Sequence, residues 1–239
     1  MNTGVIVLGQ HSDSAGERAV AERCAEYLKG NGRKNVNIAF HYGEPSSDKV
    51  MERMNLEGID TFVILPLSVS EGRMTVWEMP KKLGLPDNCG SWRIMNGKDV
   101  ATRFATALGK NDALANELIE RECTPDDDTT ILLISYGSEN KECSDTAEFY
   151  ASRLEQAGWK TSAAYCRHGR TVREVISDFK KQGTDHIRVI PLFIAFDGPS
   201  AEQARRELDY SGMEVDYSEP ISCLESFYMV LDSKVPEGW

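Results

Sequence analysis

Near its start the chain reads Gly4-Val-Ile-Val-Leu-Gly-Gln-His-Ser12, and 126 residues later it reads Thr130-Ile-Leu-Leu-Ile-Ser-Tyr-Gly-Ser138. Each stretch is an apolar run that ends in small and polar residues, a pattern typical of a buried strand and the turn after it. A second pair keeps Gly, Asp, Pro and Leu in register 125 residues apart: Gly58-Ile-Asp-Thr-Phe-Val-Ile-Leu-Pro-Leu67 and Gly183-Thr-Asp-His-Ile-Arg-Val-Ile-Pro-Leu192. Matches at a nearly constant spacing indicate one structural unit repeated in tandem.

Helical patterns lie between these strands, so each half alternates strand and helix. Ser14 with Glu17, and Thr171 with Glu174, have the spacing of a capping box at the start of a helix. Near-continuous apolar strands are typical of a parallel sheet that helices cover on both faces. We therefore predict an α/β fold of two tandem, doubly wound, four-stranded parallel-sheet halves that face a central crevice. The predicted strands are 4–9, 36–40, 61–67 and 91–95 in the first half, and 130–135, 160–165, 186–192 and 213–217 in the second.

The two predicted domains are residues 1–123 and 124–239, and a helical stretch from Asp112 to Glu122 links them. Charge is distributed unevenly between the domains. The first carries 15 Lys and Arg against 17 Asp and Glu, and the second carries 12 against 21. Part of the second excess is the run Asp126-Asp-Asp128, which is typical of a solvated linker.

The composition argues against several classes of protein. A net charge of −11 disfavours general nucleic-acid binding, which needs clustered Lys and Arg. No apolar stretch approaches the roughly 20 residues of a membrane span, and residues 1–9 lack the pattern of a secretion signal, so we expect a cytoplasmic protein. Six cysteines without a C-x-x-C pair disfavour a zinc ribbon or a disulfide framework. Neither first strand is followed by G-x-x-x-x-G-K-[ST] or G-x-G-x-x-G, so no bound nucleotide is predicted.

The candidate site consists of the residues that follow each strand, because ligands of open parallel sheets bind beyond the carboxyl ends of the strands. In the first half these residues include Gln10, His11, Ser12, His41, Glu44, Glu71, Arg73 and Met74. In the second half they include Tyr136, Ser138, Arg167 and Arg170.

Around these positions the sequence resembles that of the CbiX-type sirohydrochlorin chelatases, which insert cobalt, nickel or iron into tetrapyrroles. The strongest local match to the family is Leu65-Pro-Leu-Ser-Val-Ser-Glu-Gly-Arg-Met-Thr-Val-Trp-Glu-Met-Pro80. This segment is similar to the family's strand, Gly-x-His turn, acidic residue and Pro. Glu44-Pro-Ser46 is similar to the family's helix start, and Val215-Asp-Tyr-Ser-Glu-Pro220 resembles its fourth strand and the following loop. The resemblance covers nearly the whole chain, as two copies of the family's unit.

The resemblance implies which molecules the chain binds. A divalent metal ion, cobalt or nickel, is expected as a substrate, and a tetrapyrrole such as sirohydrochlorin as the small-molecule partner. Neither nucleic acid nor a membrane is expected. Small single-unit relatives dimerise, so the tandem chain is expected to be a monomer or a homodimer.

The chain departs from the family at both histidine positions. The first family histidine falls on Gln10 in one half and on Tyr136 in the other. The second falls on Met74, and the second half has Asp197-Gly-Pro199 in that region. A thioether favours soft metals, whereas Co(II) and Ni(II) are better served by imidazole and carboxylate, so Met74 is a chemically poor replacement.

Two interpretations remain open. In the first, catalysis survives by substitution. His11 and Glu71 are then the catalytic residues, and the metal is contacted by His11, His41, Glu44 and Met74. In the second, metal insertion has been lost, and the crevice binds a tetrapyrrole, a metallated product or a partner protein.

The predicted substrate-binding residues are Gln10, Ser12, Arg73, Ser138, Arg167 and Arg170. The loop Arg167-His-Gly-Arg170 precedes a helix, where backbone N–H groups and two guanidinium groups converge on an anion such as a substrate carboxylate.

Structural roles remain open for the same residues. The arginines can pair with surface carboxylates, and His11 can form hydrogen bonds within its turn. Glu44 can simply favour a helix amino terminus, and Met74 can pack an apolar wall.

Overall fold

A computed structural model describes residues 2–85, 91–122, 125 and 128–237. The chain divides into two compact units, each treated separately below. The first unit comprises Met1–Leu108 and Tyr228–Trp239, and the second comprises Gly109–Phe227. Two segments therefore differ from the predicted division after residue 123: the helical stretch after residue 109 belongs to the second unit, and the carboxyl terminus belongs to the first.

The first unit contains a sheet with strand order β2-β1-β3-β5-β4. Its strands are β1 (Thr3–His11), β2 (Val36–Tyr42), β3 (Thr61–Pro66), β4 (Ser91–Met95) and β5 (Lys98–Phe104). The pairs β1·β2, β1·β3 and β3·β5 are parallel, as predicted. The strand predicted at 91–95 is observed as β4, but its predicted parallel pairing is wrong: β5 pairs with β3, and β4 runs antiparallel to β5 at the edge.

A tight turn accounts for the extra strand. Asn96 and Gly97 lie between β4 and β5, and both have positive φ, 50° and 74°. Asn-Gly in this conformation is the strongest short-range signal for a β-hairpin. A hairpin reverses the chain, so only its second strand can be parallel to β3.

The helices of the first unit connect these strands. They are α1 (Ala15–Gly30), α2 (Ser47–Leu56), a π-helical turn at Met74–Glu78, and α3 (Met79–Lys82), which directly follows that turn. Apolar residues of the strands, α2 and α3 form one buried cluster that includes Phe62, Met51 and Met79. The carboxyl-terminal segment is held to this unit by an ion pair in which the Arg33 Nε lies 2.7 Å from the Asp232 Oδ1.

The second unit contains the predicted four-stranded parallel sheet, with strand order β7-β6-β8-β9. Its strands are β6 (Thr129–Ser135), β7 (Lys160–Tyr165), β8 (His186–Leu192) and β9 (Glu214–Tyr217). Its helices are α4 (Asp112–Arg121), α5 (Lys141–Gln156), α6 (Val172–Lys181) and α7 (Gly198–Asp209), and α8 (Glu225–Ser233) begins in it. The capping box predicted at Thr171 and Glu174 is confirmed at the start of α6.

Within the second unit, α4 contacts the start of α8 through one carboxylate. Glu117 accepts hydrogen bonds from the backbone N–H groups of Glu225 and Ser226, each at 2.7 Å. Burial alone would raise the pKa of Glu117, but the hydrogen bonds from Ser226 and Glu225 favour the charged form and lower the pKa below its ordinary value. The carboxylate thus satisfies amide groups that the first turn of a helix leaves without partners.

Replacing Glu117 with glutamine is expected to lower the free energy of unfolding by about 1–2 kcal/mol near pH 7, because charge-assisted hydrogen bonds weaken. A carboxyl with a lowered pKa in the folded state stabilises above the ordinary pKa of glutamate, and this contribution is lost as the pH falls through the lowered value. The difference between wild type and variant should therefore narrow near pH 3, measured by urea denaturation. Glu120→Gln, an exposed carboxyl on the same helix, is the control; an equal loss there would contradict the capping role.

No helix in the described part of the chain is long and apolar enough to cross a membrane.

Candidate functional site

The turn after β1 is held against α1 by a carboxylate. The side chain of Glu17 accepts hydrogen bonds from the backbone N–H groups of Gln10 and His11, the latter at 3.1 Å. The side chain of Ser14, the first residue before α1, accepts from the backbone N–H of Glu17 at 3.0 Å. The helix and the turn that carries His11 are thus joined by hydrogen bonds.

A close backbone contact joins the ends of β1 and β2. The Ser12 N–H donates to the carbonyl of Tyr42 at 3.0 Å, and the Glu44 N–H donates to the Ser12 Oγ at 3.1 Å. Between them, Gly43 has φ +92°, and a Cβ atom there would lie 1.8 Å from the Ser12 Oγ. Arg18 donates to the carbonyls of Ser12 and Glu44, each at 3.0 Å. The predicted substrate-binding hydroxyl of Ser12 therefore also has a structural role.

Tyr42 lies at the centre of a cluster at this edge, called the Tyr42 cluster: His11, His41, Tyr42, Arg73 and Glu78. The ring of His11 stacks on the ring of Tyr42 with centroids 4.9 Å apart, and the ring of His41 meets it edge-on at 4.4 Å. The Tyr42 hydroxyl donates to Glu78 Oε2 at 3.2 Å, and Arg73 Nε lies 2.9 Å from Glu78 Oε1. Two imidazoles and a carboxylate thus surround one phenol.

The two histidines of the Tyr42 cluster differ in environment. The His11 side chain is 48% exposed, whereas His41 is buried. The pKa of His41 is lowered, first by burial and then by the positive charge of Lys82, whose ammonium group donates to the His41 carbonyl. His41 Nδ1 is buried without a hydrogen-bond partner among the described residues. His41 is therefore an uncharged support for Tyr42, and His11 is the imidazole that a ligand can reach.

The four predicted metal contacts, His11, His41, Glu44 and Met74, are not brought together as one ligand set. Met74 packs against the buried cluster of the first unit. Glu44 accepts from the Ser46 N–H at 3.0 Å and pairs with Lys49 at 2.5 Å; the Lys49 hydrogen bond is the main cause of its lowered pKa. Among the described residues, no three His, Cys, Asp or Glu side chains are grouped so that they could hold a metal ion.

The predicted catalytic carboxylate, Glu71, is engaged by the chain itself. Its Oε1 accepts from the Ala107 N–H at 2.7 Å, and its Oε2 accepts from the Thr75 hydroxyl at 2.5 Å. The carboxylate at the Tyr42 cluster is Glu78, which sequence reasoning did not select. A signal was present, because Glu78 is the acidic residue of the motif that ends in Pro80.

Trp77 is the aromatic residue beside this carboxylate. It is half exposed, and the cationic groups of Arg73 and Lys81 lie over its ring, at 5.4 and 4.3 Å from the centroid. Predicted substrate-binding residue Arg73 therefore contacts both Glu78 and an exposed aromatic face.

Strand register identifies the corresponding positions in the second unit. Gly9 pairs with Phe40 in the first sheet, and Ser135 pairs with Tyr165 in the second. His11, His41 and Tyr42 therefore correspond to Gly137, Cys166 and Arg167. The second sheet has no imidazole at either position, so the two edges differ chemically.

The predicted anion-binding residues of the second unit have separate surroundings. Arg170 forms an ion pair with Asp178 on α6, which is the structural role left open above. Arg167 is exposed, and its guanidinium has no hydrogen-bond or ion-pair partner within the described ranges. The hydroxyl of Ser138 accepts from the Asn140 N–H at 3.1 Å. Of the two arginines, Arg167 is the one available to a ligand.

The sequence is similar to one family of known proteins and to individual members of it. The sequence profile of the CbiX family matches residues 4–124 and 130–237. A probable sirohydrochlorin cobaltochelatase of Halobacterium salinarum is 25% identical over 214 residues, which are 80% of this chain and 71% of that protein. The sirohydrochlorin cobaltochelatase of Methanosarcina barkeri is 24% identical over 124 residues, 49% of this chain and 92% of that protein.

The fold is also similar to that of solved structures. SirB from Bacillus subtilis with Fe3+ has a TM-score of 0.77 and 16% identity, and the match covers 98% of this chain and 94% of SirB.

Proposed function

Because this chain belongs to the CbiX family of sirohydrochlorin chelatases, we propose that it inserts a divalent metal ion into a tetrapyrrole of the sirohydrochlorin type. The observation that carries the proposal is the Tyr42 cluster, in which the exposed imidazole of His11 stacks on Tyr42 beside the carboxylate of Glu78. Imidazole and carboxylate are the donors that suit Co(II) and Ni(II), so one of these is the proposed metal substrate.

The chemistry requires few protein ligands. A metal ion that enters a tetrapyrrole displaces two pyrrole N–H protons and exchanges its previous ligands for four ring nitrogens. A resident structural metal needs three or four protein ligands, but a metal that must leave is better held by an open, incomplete set. We assign metal contact and proton acceptance to His11. The second proton-accepting role is assigned to Glu78 in place of Glu71, because Glu78 contacts Tyr42, on which His11 stacks, whereas Glu71 is bonded to Ala107 and Thr75.

Substrate carboxylates are assigned to exposed cations. Arg73 and Arg167 are proposed to bind them, because guanidinium groups form paired hydrogen bonds with carboxylates. Arg73 and Arg170 are weaker candidates than Arg167, since Glu78 and Asp178 already engage them. Gln10 is proposed to contact the macrocycle from the turn after β1, and Ser138 has the corresponding place in the turn after β6.

A second candidate function is tetrapyrrole binding or delivery without metal insertion. The observation that favours it is the replacement of both family histidines in the first unit, by Gln10 and by Met74, which packs against the core. This binder would use the same edge of the first sheet and the same exposed arginines.

One experiment separates the two candidates. Purified protein is incubated anaerobically with sirohydrochlorin and Co(II) or Ni(II), and the absorbance change of metallation is compared with the rate without protein. We expect the protein to accelerate metal insertion. A shifted sirohydrochlorin spectrum without acceleration would leave only the binding function, and no spectral shift at all would contradict both.

A further inference from the structure

The second unit has an open groove between α6 and α7, and none of its lining residues belongs to the Tyr42 cluster. Its volume is about 740 Å³, within the usual range for sites that bind small molecules. Its lining residues are Arg173, Ile176, Ser177, Lys180, Gln203, Arg206, Glu207, Tyr210 and Ser211. Each helix contributes one face, at the three- and four-residue spacing that brings side chains together.

The groove is positively charged within an acidic half of the chain. Arg173 lies 4.0 Å from Glu207, which offsets one cation. Lys180 and Arg206 have no hydrogen-bond or ion-pair partner in the part of the chain that the structure describes. Cations in the last turn of a helix complement its partial negative charge, but that role does not require the two to share a groove.

The corresponding surface of the first unit is covered. Residues of α2 and α6 correspond at a spacing of 125, so Asn55 is the counterpart of Lys180. Asn55 is 4% exposed, and its side-chain oxygen accepts from Asn96 in the hairpin turn at 3.1 Å. In the second unit only residues 210–213 separate α7 from β9, too few for such a hairpin. The groove of the second unit is thus left open because the connection between α7 and β9 is too short to cover it.

The lining residues indicate the kind of occupant. A helix that packs between two helices needs an apolar stripe, but here Ile176 and Tyr210 are the lining residues with an apolar or aromatic side chain, beside cations, hydroxyls, an amide and Glu207. Tyr210, 88% exposed, offers a flat aromatic face. We propose that this groove binds a small organic dianion with a planar unsaturated body, whose two acidic groups meet Lys180 and Arg206 while its body packs on Tyr210 and Ile176.

The test uses the full chain and naphthalene-2,6-dicarboxylate as the probe, with the dissociation constant measured by isothermal titration calorimetry at low salt. The monoanion 2-naphthoate is titrated in parallel. We expect the dianion to bind at least about 10-fold more tightly than the monoanion, because it gains a second charge-assisted hydrogen bond. Lys180→Ala and Arg206→Ala should each weaken dianion binding about 10-fold.

Lys29→Ala and Lys34→Ala remove exposed lysines of the first unit and are the matched controls, for which the dissociation constant should not change. All four side chains are exposed, so the variants should keep the circular dichroism spectrum of the wild type. No binding at millimolar probe would overturn the proposal. Equal affinity for both naphthalenes, or equal weakening in the controls, would do the same.

Discussion

Replacing His11 with alanine is expected to lower the rate of metal insertion by about 10²–10⁴-fold, the usual contribution of a positioned acid–base group. His11 is the exposed imidazole of the Tyr42 cluster, and the second unit has glycine at the corresponding position. No other histidine of the first unit is available to replace it among the described residues, because His41 is buried. The rate is measured from the absorbance change of sirohydrochlorin with Co(II) or Ni(II).

The control for this variant is His186→Gln. His186 lies at the amino end of β8, where its ring contacts Thr129 and Asp216 at 3.0 Å each. It is therefore at the opposite end of β8 from the carboxyl edge of its own sheet. His11→Ala should still shift the sirohydrochlorin spectrum, since the exposed arginines remain. A His11→Ala protein that inserts metal at the wild-type rate would refute our site assignment.

Replacing Gly43 with alanine is expected to lower the free energy of unfolding by about 3 kcal/mol. A φ of +92° is unfavourable for a residue with a Cβ atom, at a cost of about 1–2 kcal/mol. In addition, that Cβ would lie 1.8 Å from the Ser12 Oγ, and relieving such an overlap costs about 1–3 kcal/mol. Urea denaturation measures the sum.

Gly32→Ala separates the two causes. Gly32 has a similar φ, +85°, but an added Cβ would have no atom within 4 Å. The Gly32→Ala variant should lose about 1 kcal/mol of unfolding free energy, which is the backbone contribution alone. If the two variants lost the same stability, the close contact with Ser12 would have no energetic weight. In Gly43→Ala we also expect slower metallation, because the turn that carries His11 is bonded to this loop.

Much of the architecture was predictable because it follows from local patterns. The repeat and the apolar runs predicted all eight proposed strands at or near observed strands, because several of them are the near-continuous apolar runs that a buried parallel strand requires. The strand predicted at 91–95 is observed as β4, but its predicted parallel pairing was wrong, and the parallel strand β5 was not predicted although Asn96-Gly97 was a visible turn signal. A short apolar run does not show whether the strand pairs in a parallel or an antiparallel way. The pairing depends on whether a tight turn or a longer crossover connects it to its neighbour.

The candidate site was predictable only in part. The rule that ligands bind beyond the carboxyl ends of parallel strands selected His11, His41 and Arg73, which the structure places in the Tyr42 cluster. The same rule selected Glu71, Glu44 and Met74, whose side chains are occupied by a backbone N–H, a lysine and the apolar core. Position after a strand defines an edge, but the direction of each side chain depends on its contacts.

The amino-acid sequence was sufficient for the repeat, the α/β class and the family, because these depend on the order and period of residue types along the chain. Only the tertiary structure could show that Glu78 rather than Glu71 faces Tyr42, and that the second unit leaves its groove open while a hairpin turn covers Asn55 in the first. These features are contacts between residues tens of positions apart. They depend on side-chain packing and on which groups form hydrogen bonds with one another, and neither can be predicted from a local sequence pattern.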